Sequence, residues 1–177
     1  RWRAAHGEAA ADAIAASLRT QPPLDLTVKA DPGAWADQLG AAALGGPSIR
    51  LPADAGEVTA LPGYGDGAWW VQDAAAALPA RLLAVAPGQT VADLCAAPGG
   101  KTLQLAAAGA AVTALDVAAG RVARLRENLE RCSLTAEVVT ADAATWSPGR
   151  LFDAVLVDAP CSATGTCRRQ PEVLWRL

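Results

Sequence analysis

A chain of 177 residues that is 52% hydrophobic with a net charge of −3 is no disordered tail, and it can bury one good core with a smaller second one. Its pI of about 5.1 argues against a broadly basic nucleic-acid-binding face. The local exceptions are Arg168 and Arg169 and the run Arg121, Arg124, Arg126, Arg131, and for the run a solvated helix face is an equal explanation.

No apolar run reaches the roughly 18–20 uncharged residues of a membrane helix, and no charged-then-apolar leader opens the chain, so a cytoplasmic protein without membrane contact is expected. There is no Met, even at position 1, and the chain is therefore read as a fragment. The cysteines Cys95, Cys132, Cys161 and Cys167 form no C-x-x-C pair, and His6 is the only histidine. Neither a metal site nor a disulfide framework is expected; Cys95 and Cys132 read first as structural thiols.

From about Arg3 to Leu18 the chain is an Ala-rich helical stretch that stops at Gln21-Pro22-Pro23. Residues 1–20 are read as the trailing helix of a missing N-terminal helical domain. Leu24, Leu26 and Val28 alternate as in a strand, and Asp31-Pro32 supplies an N-cap and a first-turn proline for a helix to about Leu44. Strand-like pieces follow at Ser48–Leu51 and Glu57–Leu61. Residues 21–68 thus form a small α+β module closed by Pro62-Gly63-Tyr64-Gly65-Asp66-Gly67. That loop spells G-x-G-x-G, but it follows no convincing buried strand and lacks the G-x-G-x-x-G spacing, so it is read as a structural turn.

Residues 69–177 change character. A helix from Asp73 to about Leu83 leads through Pro87-Gly88 into the strands Val91–Leu94, Val112–Leu115, Glu137–Thr140 and Ala154–Val157, separated by the helices Lys101–Ala108 and Ala118–Cys132. Alternation of short apolar strands with helices predicts an α/β fold with a parallel sheet covered on both faces. In the second helix Ala118, Val122, Leu125, Leu129 and Cys132 share one face, as in an amphipathic crossover helix. The apolar strand Val155–Val157 predicts neighbours on both sides, so the sheet is read as incomplete and the gene as continuing past Leu177.

Four groups could carry chemistry. Asp93-Leu94-Cys95-Ala96-Ala97-Pro98-Gly99-Gly100-Lys101-Thr102 joins a strand to a helix, where Gly99 and Gly100 let a ligand approach the backbone and the helix start favours a carboxylate. Asp116 ends the next strand, 23 residues beyond Asp93, where an acid accepts ribose hydroxyls in nucleoside-cofactor folds; capping the following helix is its plain alternative. Asp142 follows the third strand along the same edge, with a turn acid as the plain alternative. The fourth strand then delivers Asp158, Pro160 and Cys161 there.

A competing reading starts from Gly100-Lys101-Thr102, the end of a G-x-x-x-x-G-K-S/T phosphate loop, with Val155–Asp158 as a magnesium-binding strand. Its first glycine would fall at Cys95, which is expected to block the required conformation, and Pro98 removes an N–H from the cradle. A P-loop nucleotide-binding protein is therefore the minor alternative.

With these motifs in order, and with Arg121, Asn128 and the Arg168-Arg169-x-Pro171 segment among them, the chain resembles the bacterial 16S ribosomal RNA cytosine-5 methyltransferases. The resemblance implies a Rossmann-like class I methyltransferase domain that binds S-adenosyl-L-methionine and acts on ribosomal RNA, as a monomer. It implies that Cys95, Ala96, Ala97, Pro98, Gly99, Gly100 and Lys101 line the methionine and ribose portion, with Arg121 beside them. Asp116 would hold the ribose, Asp142 would sit by the adenine, and Asp158 would contact cofactor or base. Two cysteines act in that family: one attacks cytosine C6, and the other, matching Cys161, helps release the adduct. The attacking cysteine belongs to a later segment that this sequence does not contain. Hence a non-catalytic cofactor- or RNA-binding module is the second reading.

Overall fold

The computed structural model describes residues 2–167, 169, 170, 172 and 173. It divides into two compact units, residues 24–159 and residues 1–23 with 160–177. Among the described residues, no helix is long and apolar enough to cross a membrane, and no group of three or more His, Cys, Asp or Glu could hold a metal ion.

In the smaller unit the expected single helix is two, α1 (Trp2–His6) and α2 (Glu8–Leu18). Gly7 between them takes φ 80, outside the helical region, and so breaks the run. Arg169 donates to the Pro23 carbonyl at 2.9 Å. Cys167 is buried and Cys161 exposed, its sulfur accepting from the Ala163 N–H at 3.3 Å. Arg168 and Pro171 of the motif, and Leu177, lie outside the described residues.

The larger unit holds two four-stranded sheets. The first, in the order β2-β3-β1-β4, is antiparallel and comprises β1 (Asp25–Val28), β2 (Ala42–Gly45), β3 (Ser48–Arg50) and β4 (Trp69–Val71). The helix α3 (Pro32–Leu39) starts as expected, with Asp31 Oδ1 accepting from Ala34 N. It does not reach Leu44. Gly40 turns left-handed at φ 59 and stops it, and the next apolar residues pair with β3, because sheet pairing outweighs the helix preference of Ala and Leu. The expected strand Glu57–Leu61 is likewise a 3₁₀ turn over Val58–Ala60, with Val58 and Leu61 packed onto the module's core.

Trp69–Val71, read from sequence as the start of the C-terminal domain, instead completes the first sheet by pairing with β1. Because neighbouring strand residues point to opposite faces, Trp69 joins the cluster of Leu26, Val28, Ile49 and Ala36, whereas Trp70 packs with Ala80, Leu103 and Leu105 of the second core. The two cores are thereby tied through one dipeptide.

The second sheet is parallel, in the order β7-β6-β5-β8: β5 (Thr90–Leu94), β6 (Ala111–Asp116), β7 (Glu137–Thr140) and β8 (Ala154–Val157). Its helices are α4 (Ala74–Leu82), α5 (Gly100–Ala107) and α6 (Ala119–Arg131). Val122, Leu125 and Leu129 of α6 are buried as the helical spacing predicts. Among the described residues β8 lies at the edge of this sheet, with Val155 and Val157 49% and 62% exposed.

The arginine run is only partly a solvated face. Arg131 stacks over the Tyr64 ring at 4.4 Å and donates to the carbonyls of Tyr64 and Trp69 at 2.8 and 3.1 Å. This joins the end of α6 to the 62–67 loop, where Gly63 and Gly67 serve packing: a Cβ on Gly67 would stand 2.0 Å from the Arg131 carbonyl oxygen. The structural reading of that loop stands.

Candidate functional site

Parallel pairing aligns the carboxyl ends of β5, β6, β7 and β8, so the segments after them share one edge. After β5 the chain turns sharply. Cys95 takes φ 61, and Gly99 takes φ 110 directly before α5. A side chain on Gly99 would put its Cβ 2.5 Å from Leu125 Cδ1, so glycine is what seats the turn against α6. Cys95 is thus a non-glycine residue in the left-handed region, at the position where the phosphate-loop reading calls for glycine. What still disfavours such a loop is Pro98 without an N–H and a Lys101 engaged elsewhere.

Asp116 grips the turn from behind. Its Oδ2 accepts from Ala97 N at 3.2 Å and its Oδ1 from Ala118 N at 3.1 Å, so the acid steadies both the turn and the start of α6. Arg121 bonds the Ala97 carbonyl and lies 3.4 Å from Asp116, whose side chain is 1% exposed. Asn128 donates to the Pro98 carbonyl at 2.9 Å. The expected neighbours therefore meet.

The crevice in front of the turn has a volume of about 190 Å³. Cys95, Ala96, Ala97, Pro98, Gly100, Lys101 and Asp158 line it, as expected. Lys101 Nζ pairs with Asp158 Oδ2 at 2.6 Å across the mouth. Burial first, and then the Asp116 charge, raise the pKa of the Cys95 thiol above its ordinary value. Gly99, Asp116 and Arg121 are not among the lining residues and support the turn from outside it. Asp142 lies beyond the end of β7, exposed, its Oδ1 held by Ala144 N at 2.9 Å in a local turn. Cys161 belongs to the other compact unit.

Two contributions were missed. Gln72 and Asp73, just after β4, also line the crevice; the sequence signal was a polar pair between an apolar strand and a helix. Gln72 is buried, accepts from Trp70 Nε1 at 2.8 Å, and lies 3.4 Å from where a Cβ on Gly100 would stand. The second is Asp93, fully buried at the end of β5 and also on the crevice wall. Its Oδ2 accepts from Thr102 Oγ1 at 2.5 Å, while Oδ1 has no partner among the described residues.

Burial pushes the Asp93 carboxyl up to about 6, with the Thr102 hydrogen bond and Lys101 opposing. A raised carboxyl pKa means that the folded chain holds the proton more tightly than the unfolded one. This group therefore disfavours folding above pH 6 by up to about 3 kcal/mol, and the penalty fades as pH falls from 6 towards 4. Asp93→Asn is expected to abolish that slope and to leave the variant at least as stable as the parent at pH 7.5. Urea midpoints at pH 5 and 7.5 check this; a parent whose midpoint stays flat relative to the variant contradicts a buried ionising acid.

The family model described as 16S rRNA methyltransferase RsmB/F matches residues 80–177, more than half of the chain. The chain belongs to that family. Among curated relatives, ribosomal RNA small subunit methyltransferase B of Pseudomonas putida is 43% identical over 177 residues, covering 92% of this chain. The same-named protein of Pseudomonas syringae pv. tomato is 50% identical over 123 residues, or 66% of this chain. The chain spans only 41% and 28% of those relatives. Of solved structures, a methyltransferase homologue from Pyrococcus horikoshii superposes with a TM-score of 0.75 at 27% identity, covering 91% of this chain and 57% of that one. NSun6 from the same organism shares the fold, with a TM-score of 0.56 at 24% identity over 75% of this chain and 41% of that one. The α/β class expected from the strand–helix alternation, in the Rossmann-like form that the resemblance implied, is thus the fold of this RsmB/F family chain.

Proposed function

We propose that this RsmB/F family chain binds S-adenosyl-L-methionine at the Pro-Gly-Gly turn and serves the methylation of cytosine C5 in small-subunit ribosomal RNA, in the cytoplasm and as a monomer. The observation that carries the reading is the direct contact between Ala97 of that turn and Asp116, at the carboxyl edge of a parallel sheet. The residues suit the cofactor's charge. A sulfonium and an ammonium call for acceptors, and the crevice offers Asp158, Asp73 and the unpartnered Oδ1 of Asp93. When bound, the cofactor supplies a methyl group made electrophilic by the sulfonium.

Each residue then has a task. Gly100, without a Cβ beside Gln72, leaves room for close approach, and the first amides of α5 face a carboxylate. Asp116 accepts from ribose hydroxyls while it holds the turn, and Arg121 fixes its orientation. Asp142 stands on the adenine side. The Lys101–Asp158 pair places one proton donor and one acceptor at the mouth, where the target base enters. Cys161 assists adduct release, and no cysteine of this chain is assigned the attack on C6. Residues 1–20 act as the trailing helices of an RNA-binding domain, 21–71 as an accessory module whose sheet Trp69–Val71 completes, and 72–177 as the cofactor domain.

Titration calorimetry with S-adenosylmethionine, set against magnesium–ATP, tests the binding step. Methyl transfer from labelled cofactor to cytosine in small-subunit ribosomal RNA, by a protein carrying this sequence at its relatives' length, tests the reaction. Cys161→Ser is expected to spare cofactor affinity while slowing release of the RNA adduct at least tenfold. Tight magnesium–ATP binding without S-adenosylmethionine binding overturns the assignment.

A further inference from the structure

A separate cleft of about 280 Å³ opens where β1 and the β2–β3 turn meet α4 and α5, and it shares no lining residue with the crevice at the Pro-Gly-Gly turn. Its chemistry is of one sign. Lys29 and Arg81 line it, and no Asp or Glu does. Lys29 Nζ spends one of its three N–H groups on the Cys132 carbonyl at 2.9 Å, leaving two. Arg81 is exposed, holds the Gly45 carbonyl by a long 3.4 Å contact, and is crowded against Gly46, where an added Cβ would stand 2.7 Å from Cζ.

Polar groups in the same sheet await a partner. Thr27, in the wall of the cleft, is 1% exposed, and its hydroxyl has no hydrogen-bond partner among the described residues; the same holds for Ser48, its register partner on β3. Native proteins leave few buried hydroxyls unpaired, and the one on the cleft wall, Thr27, is a donor suited to an external acceptor. The remaining wall is Val28, Pro47, Trp70, the polar Gln104, and apolar side chains of α4, α5 and the residues just after them.

We infer that this cleft is a phosphate-binding site, taking a phosphate group that is either free or carried on an RNA backbone. Lys29 and Arg81 supply the charge and the Thr27 hydroxyl a donor, the set that an oxyanion of tetrahedral shape uses. The phosphate chemistry stands without the methyl-transfer reading; only the RNA source rests on it. In a chain of net charge −3, a local acid-free cleft is also where a polyanion meets least repulsion.

The test is a nitrogen-15 NMR titration of the whole chain with inorganic phosphate, adenosine 5′-monophosphate and a short single-stranded RNA in turn. The readouts are the Trp70 indole N–H and the amides of Thr27, Lys29 and Arg81. Saturable shifts at these positions are expected, weakened about tenfold in Arg81→Gln and in Thr27→Val, which keeps the side-chain shape. Arg81 is exposed, so its variant reports on binding without threatening the fold. Shifts from the monoesters alone identify a free phosphate as the source, and shifts from RNA alone identify the backbone; both support the site. Absence of saturable shifts with all three, or equal affinity in both variants, overturns it. S-adenosylmethionine affinity, measured in parallel, is expected to be unchanged in Arg81→Gln, so failure here and failure of the cofactor reading are told apart.

Discussion

Gly67→Ala is expected to lower the stability of the 24–159 unit by about 3–4 kcal/mol, from two sources of strain. Gly67 sits at φ 61, a conformation that costs an L-residue about 1 kcal/mol or more. Its Cβ would also stand 2.0 Å from the Arg131 carbonyl oxygen and 2.4 Å from Cys132 Cα, both backbone atoms that cannot rotate away. Relief would require the 62–67 loop to lift from the end of α6, loosening the Arg131 bonds to Tyr64 and Trp69. Urea denaturation measures the loss, and Gly65→Ala is the control. Gly65 has open space at its Cβ and no positive φ, so its variant should stay within about 0.5 kcal/mol of the parent. If the two variants unfold at the same urea concentration, the loop does not pack as described.

Asp116→Asn is expected to weaken S-adenosylmethionine binding about 30- to 100-fold, with a stability loss of about 2 kcal/mol. The side chain is 1% exposed and serves three partners at once: Ala97 N, Ala118 N and Arg121. An amide can replace one oxygen acceptor but turns a donor towards the other N–H. It also removes the charge opposite Arg121. Asp142→Asn is the comparison: Asp142 is exposed and bonded only within its own turn, so a change below tenfold is expected. Calorimetry on both variants distinguishes them. Undiminished affinity in Asp116→Asn removes the ribose role and leaves this acid as the anchor of the turn.

Much of the site was legible because it is built from local signals. The small-residue turn, the helix that follows it and the acid at the next strand end are contiguous in sequence, and parallel pairing brings strand ends together wherever strands and helices alternate. Family resemblance alone puts Arg121 at the site, and its contact to Ala97 was not foreseen, since nothing in an amphipathic helix pattern says which arginine turns inward. The errors sit where a local preference met a long-range partner. Ala42–Gly45 looks helical by composition, yet β3 offered a strand partner. Glu57–Leu61 looks like a strand, yet Val58–Ala60 forms a 3₁₀ turn, with Val58 and Leu61 packed on the module's core.

What the amino-acid order determined by itself was the succession of elements from Thr90 to Val157, the identity of the turn and the acids at the strand ends. Each depends on spacing within a few residues, which hydrophobic period and backbone sterics read directly. Tertiary structure alone decided that Trp69 and Trp70 belong to different cores, that Gln72 reaches the crevice, and that Asp93 is buried with one oxygen unpartnered. Those outcomes depend on which distant segment covers a given face, and chain neighbours carry no record of that.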